Sequence, residues 1–215
     1  FNPTQPVLVR SITEASSITD LKLSLMAVYP DEWQVKLLHD VGLPSESIEG
    51  CQLWQIDRSM RVNSSSILYI PPLASGASLE DFQQIIAKLR SPEGCPWDRQ
   101  QTHLSLRPNL LEEAYEVLEA LDEEDMSHLK EELGDLLLQI VLHAQIANED
   151  QDFTLNDVLQ GISEKLVRRH PHVFGDTIVD DVEGVTQTWE KIKASERKNR
   201  GETNKGILDG IPKTL

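Results

Sequence analysis

The chain has 215 residues, 39% of them hydrophobic and 26% charged, with a formal net charge of −16. Such a chain can bury one good core and a smaller appended unit. No run of eighteen apolar residues offers a membrane span, and the acidity would repel a nucleic-acid backbone, so a nucleotide partner is expected to be small and metal-accompanied, not a polymer. The opening Phe1-Asn2-Pro3 has neither the charged nor the apolar region of a signal peptide. Cys51 and Cys95 alone make no disulfide framework or zinc site. A cytoplasmic protein is the expectation.

In chain order, β-type runs over 6–12, 33–38 and 65–70 alternate with a helix-like run over 20–29, an α/β texture. Pro71 to Ser78 reads as a linker, with Ser78 the N-cap of the helix that follows. Beyond it, helices are predicted over 78–90, 104–123, 126–149, 154–170 and 182–198, joined by the turn-rich "SPEGCPWD" and "HPHVFGD". The predicted class is mainly α: an antiparallel helical bundle over 78–215 preceded by a small α/β segment over 1–72. Trp97, in the first of those turns, is either a packing plug or a stacking surface. His170 and His172 flank Pro171 and read as hydrogen-bonded turn imidazoles, since two His without a third ligand make a poor metal site.

The second and third of these bundle helices carry matched carboxylate pairs, Glu113 with Glu116 and Glu132 with Asp135. Each pair lies on the border of its helix's apolar stripe. If Asp122 to Ser127 forms the turn of an antiparallel hairpin, Glu113 faces Asp135 and Glu116 faces Glu132. Pair members are one i, i+3 step apart, roughly 4.5 Å along the axis, so their oxygens can converge on a hard cation. Gly134 is expected to let the two helices approach closely. Eleven acids and one base, Lys130, lie between Glu112 and Asp135. None of the four has a Lys or Arg three or four residues away, so the ion pairs of an ordinary solvated helix face are missing.

Basic residues gather later in the chain. Lys165 and Arg169 share a helix face at i, i+4, with Arg168 beside them, and Trp189 and Lys193 share another. The first face suits phosphates, the second a base or ribose. Basic residues near a helix C-terminus also complement its dipole, and Trp189 could serve the core. There is no Walker-type loop, dinucleotide fingerprint or Ser-His-Asp signature.

The segments "LRSPEGCPWDRQQTHLSLRPNLLEEAYEVLEAL", "EELGDLLLQIVLHAQIA", "KLVRRHPHVFGD" and "TWEKIKASER" resemble, in order, the MazG family of nucleoside triphosphate pyrophosphohydrolases over about 78–215. The resemblance implies magnesium or manganese ligation by Glu113, Glu116, Glu132 and Asp135. It also implies phosphate contacts from Lys165 and Arg169, nucleotide contacts from Trp189 and Lys193, and a homodimer with the active site completed near the subunit interface. Hydrolysis of a nucleoside triphosphate to monophosphate and pyrophosphate follows, as nucleotide-pool house-cleaning, with Glu112 as general base or outer ligand and Trp97 beside the nucleoside. Residues 1–72 resemble, more loosely, the C-terminal half of a tetrapyrrole methylase (SAM-dependent) domain. With the other half missing and a start at Phe1, the chain reads as a piece of a longer protein, cut also after "GILDGIPKTL". A narrow-substrate all-α pyrophosphatase of the dUTP, dCTP or phosphoribosyl-ATP type, and a non-catalytic helical docking module, are the alternatives.

Overall fold

The computed structural model describes residues 2–10, 12, 15–59, 65–73, 78–179, 181–199 and 201. The middle of the expected linker, 74–77, and the closing "GILDGIPKTL" lie outside the described residues. The chain divides into two compact units, Phe1–Gln100 and Gln101–Leu215.

The first unit is built on a four-stranded sheet of β1 (Val7–Val9), β2 (Gln34–His39), β3 (Ser47–Gln52) and β4 (Ile67–Ile70), in the order β1-β4-β2-β3. Every pair is antiparallel, with Val35 opposite Cys51 and Lys36 opposite Tyr69. Strand β2 alternates as a half-buried strand should, Val35 and Leu37 inward and Gln34 and Lys36 outward. Helix α1 (Ala15–Met26), a short 3-10 turn (Leu53–Gln55) and α2 (Ile56–Ser59) complete the layer. Leu25, Tyr29, Val35, Leu37, Leu53, Ile56, Leu68 and Ile70 are core residues, and the Trp33 indole N–H donates to the Pro71 carbonyl at 3.0 Å.

Helix α3 (Leu79–Arg90) also falls in the first unit. Ser78 caps it as expected, in a reciprocal box with Asp81. The segment after it, expected as an irregular turn, contains a short helix α4 (Pro96–Gln100) that carries Trp97. Gly94 precedes it where a Cβ would lie 2.2 Å from the Leu89 carbonyl oxygen, so no side chain fits there.

The second unit is helical: α5 (Arg107–Asp122), α6 (Met126–Glu149), α7 (Leu155–Arg169), α8 (Pro171–Phe174) and α9 (Val182–Asn199). Helices α5 and α6 form the dominant packed pair, α7 packs on α6, and α9 packs on α7. Thr154 and Asp157 make the reciprocal cap that starts α7. His170 Nδ1 lies 2.7 Å from the Leu166 carbonyl oxygen, the hydrogen-bonded imidazole expected there, while Pro171 opens α8 where only a turn was predicted.

Leu53 is fully buried in the first-unit core. Leu53→Ala should lower the free energy of unfolding by about 2–5 kcal/mol, read from urea denaturation followed by circular dichroism.

Candidate metal centre and cationic cleft

The α5–α6 hairpin turns more tightly than its sequence suggests. Only residues 123–125 lie outside helix, and Glu124 takes a left-handed backbone at φ 56°. The Asp125 carboxylate then caps α6, accepting from the backbone N–H groups of Ser127 at 2.9 Å and His128 at 3.1 Å. Ala120 is fully buried one turn before the bend, a small residue at the point where the helices converge.

This turn brings together three of the four predicted ligands. Ligand oxygens of Glu113, Glu116 and Glu132 lie within 4.8 Å of one another. Glu132 is buried, at 7% exposure, and the other two are half-buried. Burial, then the charges of Asp135 and Glu116, raise the pKa of Glu113 above its ordinary 4.5. Glu132 is raised as well, by burial first and Glu116 next, with His128 partly opposing them. Asp135 is half-buried and acts electrostatically on both, but it stands outside the converging three. Glu112 is exposed and also stands outside.

A donor set made only of carboxylate oxygens fits a hard divalent cation. Around magnesium, oxygens about 2.1 Å from the ion sit about 3–4 Å apart, so small rotations of flexible Glu side chains would close the group onto one ion.

The expectation for Gly134 is not met. A Cβ there would touch nothing within 4 Å, so close approach of α5 and α6 does not require this glycine. Sequence reasoning also passed over His128, whose Nε2 is 3.2 Å from Glu132 Oε1. The signal was available, because His128 stands one helical turn before Glu132.

The predicted basic residues meet between α7 and α9, where Gly161, Lys165, Arg168, Arg169, Glu196 and Asn199 line a cleft. Arg169 lies over the Trp189 ring at 5.2 Å and Lys193 at 4.4 Å, so Trp189 makes cation–π contacts with both. Lys193 also reaches Glu190 at 3.6 Å. Lys165 is exposed and has no ion-pair partner among the described residues. Glu196, unremarked in the sequence, receives hydrogen bonds from Arg168 Nε at 2.7 Å and Arg169 Nη2 at 2.6 Å. These bonds, Arg169's first, hold its carboxyl down at about 2. Trp97, 59% exposed, belongs to the first unit.

Residues 101–174 match the MazG nucleotide pyrophosphohydrolase domain, so the chain carries a domain of the MazG family there. Protein YabN of Bacillus subtilis is 45% identical over 213 residues, covering 97% of this chain and 43% of that protein. The nucleoside triphosphate pyrophosphohydrolase/pyrophosphatase MazG of Thermotoga maritima is 49% identical over 142 residues, 66% of this chain and 54% of that one. The nucleoside triphosphate pyrophosphohydrolase of Escherichia coli is 48% identical over 132 residues, 61% of this chain and 49% of that one. The chain spans about half the length of these curated relatives.

Glu132 is easier to protonate in the fold than its ordinary 4.5 implies, so its charge opposes folding above that pH, and the penalty fades as pH falls through the raised value. In EDTA at neutral pH, Glu132→Gln should therefore unfold at a higher temperature than the wild type. By differential scanning calorimetry the gap should narrow as pH approaches 4.5.

Proposed function

We propose that the chain hydrolyses nucleoside triphosphates to nucleoside monophosphates and pyrophosphate, using magnesium or manganese, in clearing the nucleotide pool. The observation that carries this reading is the convergence of Glu113, Glu116 and Glu132 within 4.8 Å, in a helical pair where burial and like charge raise Glu113 and Glu132 together. The MazG-family domain over 101–174 supports it, as do the names of the Thermotoga and Escherichia relatives.

Glu113, Glu116, Glu132 and Asp135 would hold the cation. When bound, it offsets triphosphate charge and supplies Lewis-acid activation of the attacking water. Glu112, exposed beside the cluster in sequence, takes up the proton released on attack. Lys165, Arg168 and Arg169 bind phosphate oxygens, while Trp189 and Lys193 hold the nucleoside end. The cleaved bond is the anhydride between the α and β phosphoryl groups, as those products require. We assign the domain to residues 78–215, with 1–72 preceding it; its first two helices, α3 and α4, fall within the first compact unit.

We also propose that the functional form is a homodimer. Leu111, Leu118 and Leu121 of α5, Leu133, Leu137 and Ile140 of α6, and Ile162 and Leu166 of α7 are each 40–53% exposed. Three helices of one unit thus leave apolar side chains open, which favours burial against a second copy.

Pyrophosphate release from a panel of common ribo- and deoxyribonucleoside triphosphates should require magnesium and fall at least about 100-fold in Glu116→Gln. Full turnover in that variant, or release undiminished by EDTA, refutes the assignment. Sedimentation equilibrium should give twice the chain mass for the wild type, and Leu137→Glu with Ile140→Glu should shift it toward the monomer.

A further inference from the structure

We infer that Glu196 is a positioning residue of the substrate site: its carboxylate clasps Arg168 and Arg169 from α9 and fixes Arg169 against Trp189. This rests on the proposed role of Trp189 and Lys193 in holding the nucleotide.

The geometry divides the work between two adjacent arginines. Arg169 spends both Nε, at 3.2 Å, and Nη2, at 2.6 Å, on Glu196 Oε2, while its guanidinium carbon lies 5.2 Å from the Trp189 ring centre. Its side chain is 11% exposed and that of Glu196 12%. Such a fork, bonded along one edge and stacked on an indole, has little freedom left. Arg168 gives only Nε to Glu196 Oε1, at 2.7 Å, and stays 54% exposed. Its terminal nitrogens make no hydrogen bond to a described residue, so Arg168 and the exposed Lys165 are open to phosphate. Arg169, for which the resemblance also implies a phosphate contact, lines the same cleft and is held there by Glu196 and Trp189.

Charge gives the arrangement its purpose. Lys165, Arg168, Arg169 and Lys193 bring four positive charges to the facing parts of α7 and α9. Without an anion between them, neighbouring guanidinium groups repel each other and their side chains spread into solvent. Glu196 supplies that anion from within the chain, and it stays ionised down to about 2. Arg169 is therefore set in place against Trp189 before a substrate arrives, which removes an ordering cost from binding.

The test is calorimetric titration of the full chain, with magnesium, by a non-hydrolysable nucleoside triphosphate analogue. The variants are Glu196→Gln, Glu196→Asp, Arg169→Gln, Lys193→Ala and the double Glu196→Gln/Arg169→Gln. Glu196→Gln should weaken binding about tenfold, and the double variant should be no weaker than Arg169→Gln alone, because Glu196 acts through Arg169. Non-additivity follows from the Glu196–Arg169 bond whatever its purpose, so thermal unfolding of the same variants decides against a mere staple of α9 to α7. A staple loses melting temperature along with affinity, whereas a positioning residue loses affinity at a near wild-type melting temperature. Glu196→Asp keeps the charge at a shorter reach and should weaken binding less, and it serves if the Gln variant does not fold. Weakened binding in Lys193→Ala with wild-type affinity in folded Glu196 variants overturns the inference alone, as do additive losses in the double variant. Wild-type affinity in Lys193→Ala overturns the underlying reading of the site, and the inference with it.

Discussion

The second unit is organised around an excess of like charge that its own helices do not neutralise. Eleven acids and one lysine lie between Glu112 and Asp135, and three of the acids converge at the α5–α6 seam. Repulsion between half-buried carboxylates favours splaying the pair apart. What opposes it is local: a tight turn closed by the Asp125 cap, the fully buried Ala120, and the buried run Val141, Leu142, Ala144, Ile146 and Ala147 on α6 beyond the acids. The carboxylates sit where apolar packing on one side and the capped turn on the other hold them. Geometry of that kind is suited to a cation because it exists before the cation arrives.

The basic half of the unit solves the opposite problem by a different means. Where the acid cluster has, among the described residues, only His128 paired with Glu132, the arginines of α7 have Glu196 as an internal counterion. An anionic site that must accept a metal cannot be neutralised by fixed lysines without losing the metal. A cationic cleft that must accept phosphates can carry one carboxylate and still be positive, and it gains order from it. On the proposed reading, with a cation at the acids and phosphates in the cleft, the asymmetry between a bare acid cluster and a clasped basic one follows from which side receives the mobile ion.

Much of the site was legible because it depends on two short-range regularities. Helical periodicity places Glu113 with Glu116 and Glu132 with Asp135, and a short turn forces their mirror alignment. Caps are equally local, so Ser78 could be named as the start of α3 from its neighbours. Strand β3 was not legible: "SIEGCQ" has a glycine and a glutamate at its centre, lies at the sheet edge, and has four exposed residues out of six. Glu196 was hidden for another reason, since its partners lie 27 and 28 residues away and no periodicity within one helix announces a bond between two.

Periodicity also finds an apolar stripe without saying what covers it. Leu133, Leu137 and Ile140 belong to the stripe read from α6, yet they are 40–49% exposed, while Glu132, on its border, is 7% exposed. The stripe is therefore wider than one partner helix can cover. One edge closes against α5 and draws the carboxylates inward; the other stays open beside the exposed leucines of α5 and α7. A second copy seated there, as proposed, would press on the far side of the helix that carries Glu132 and Asp135. Assembly and metal geometry would then be linked through the rigidity of α6, with 24 residues in one unbroken helix to transmit it.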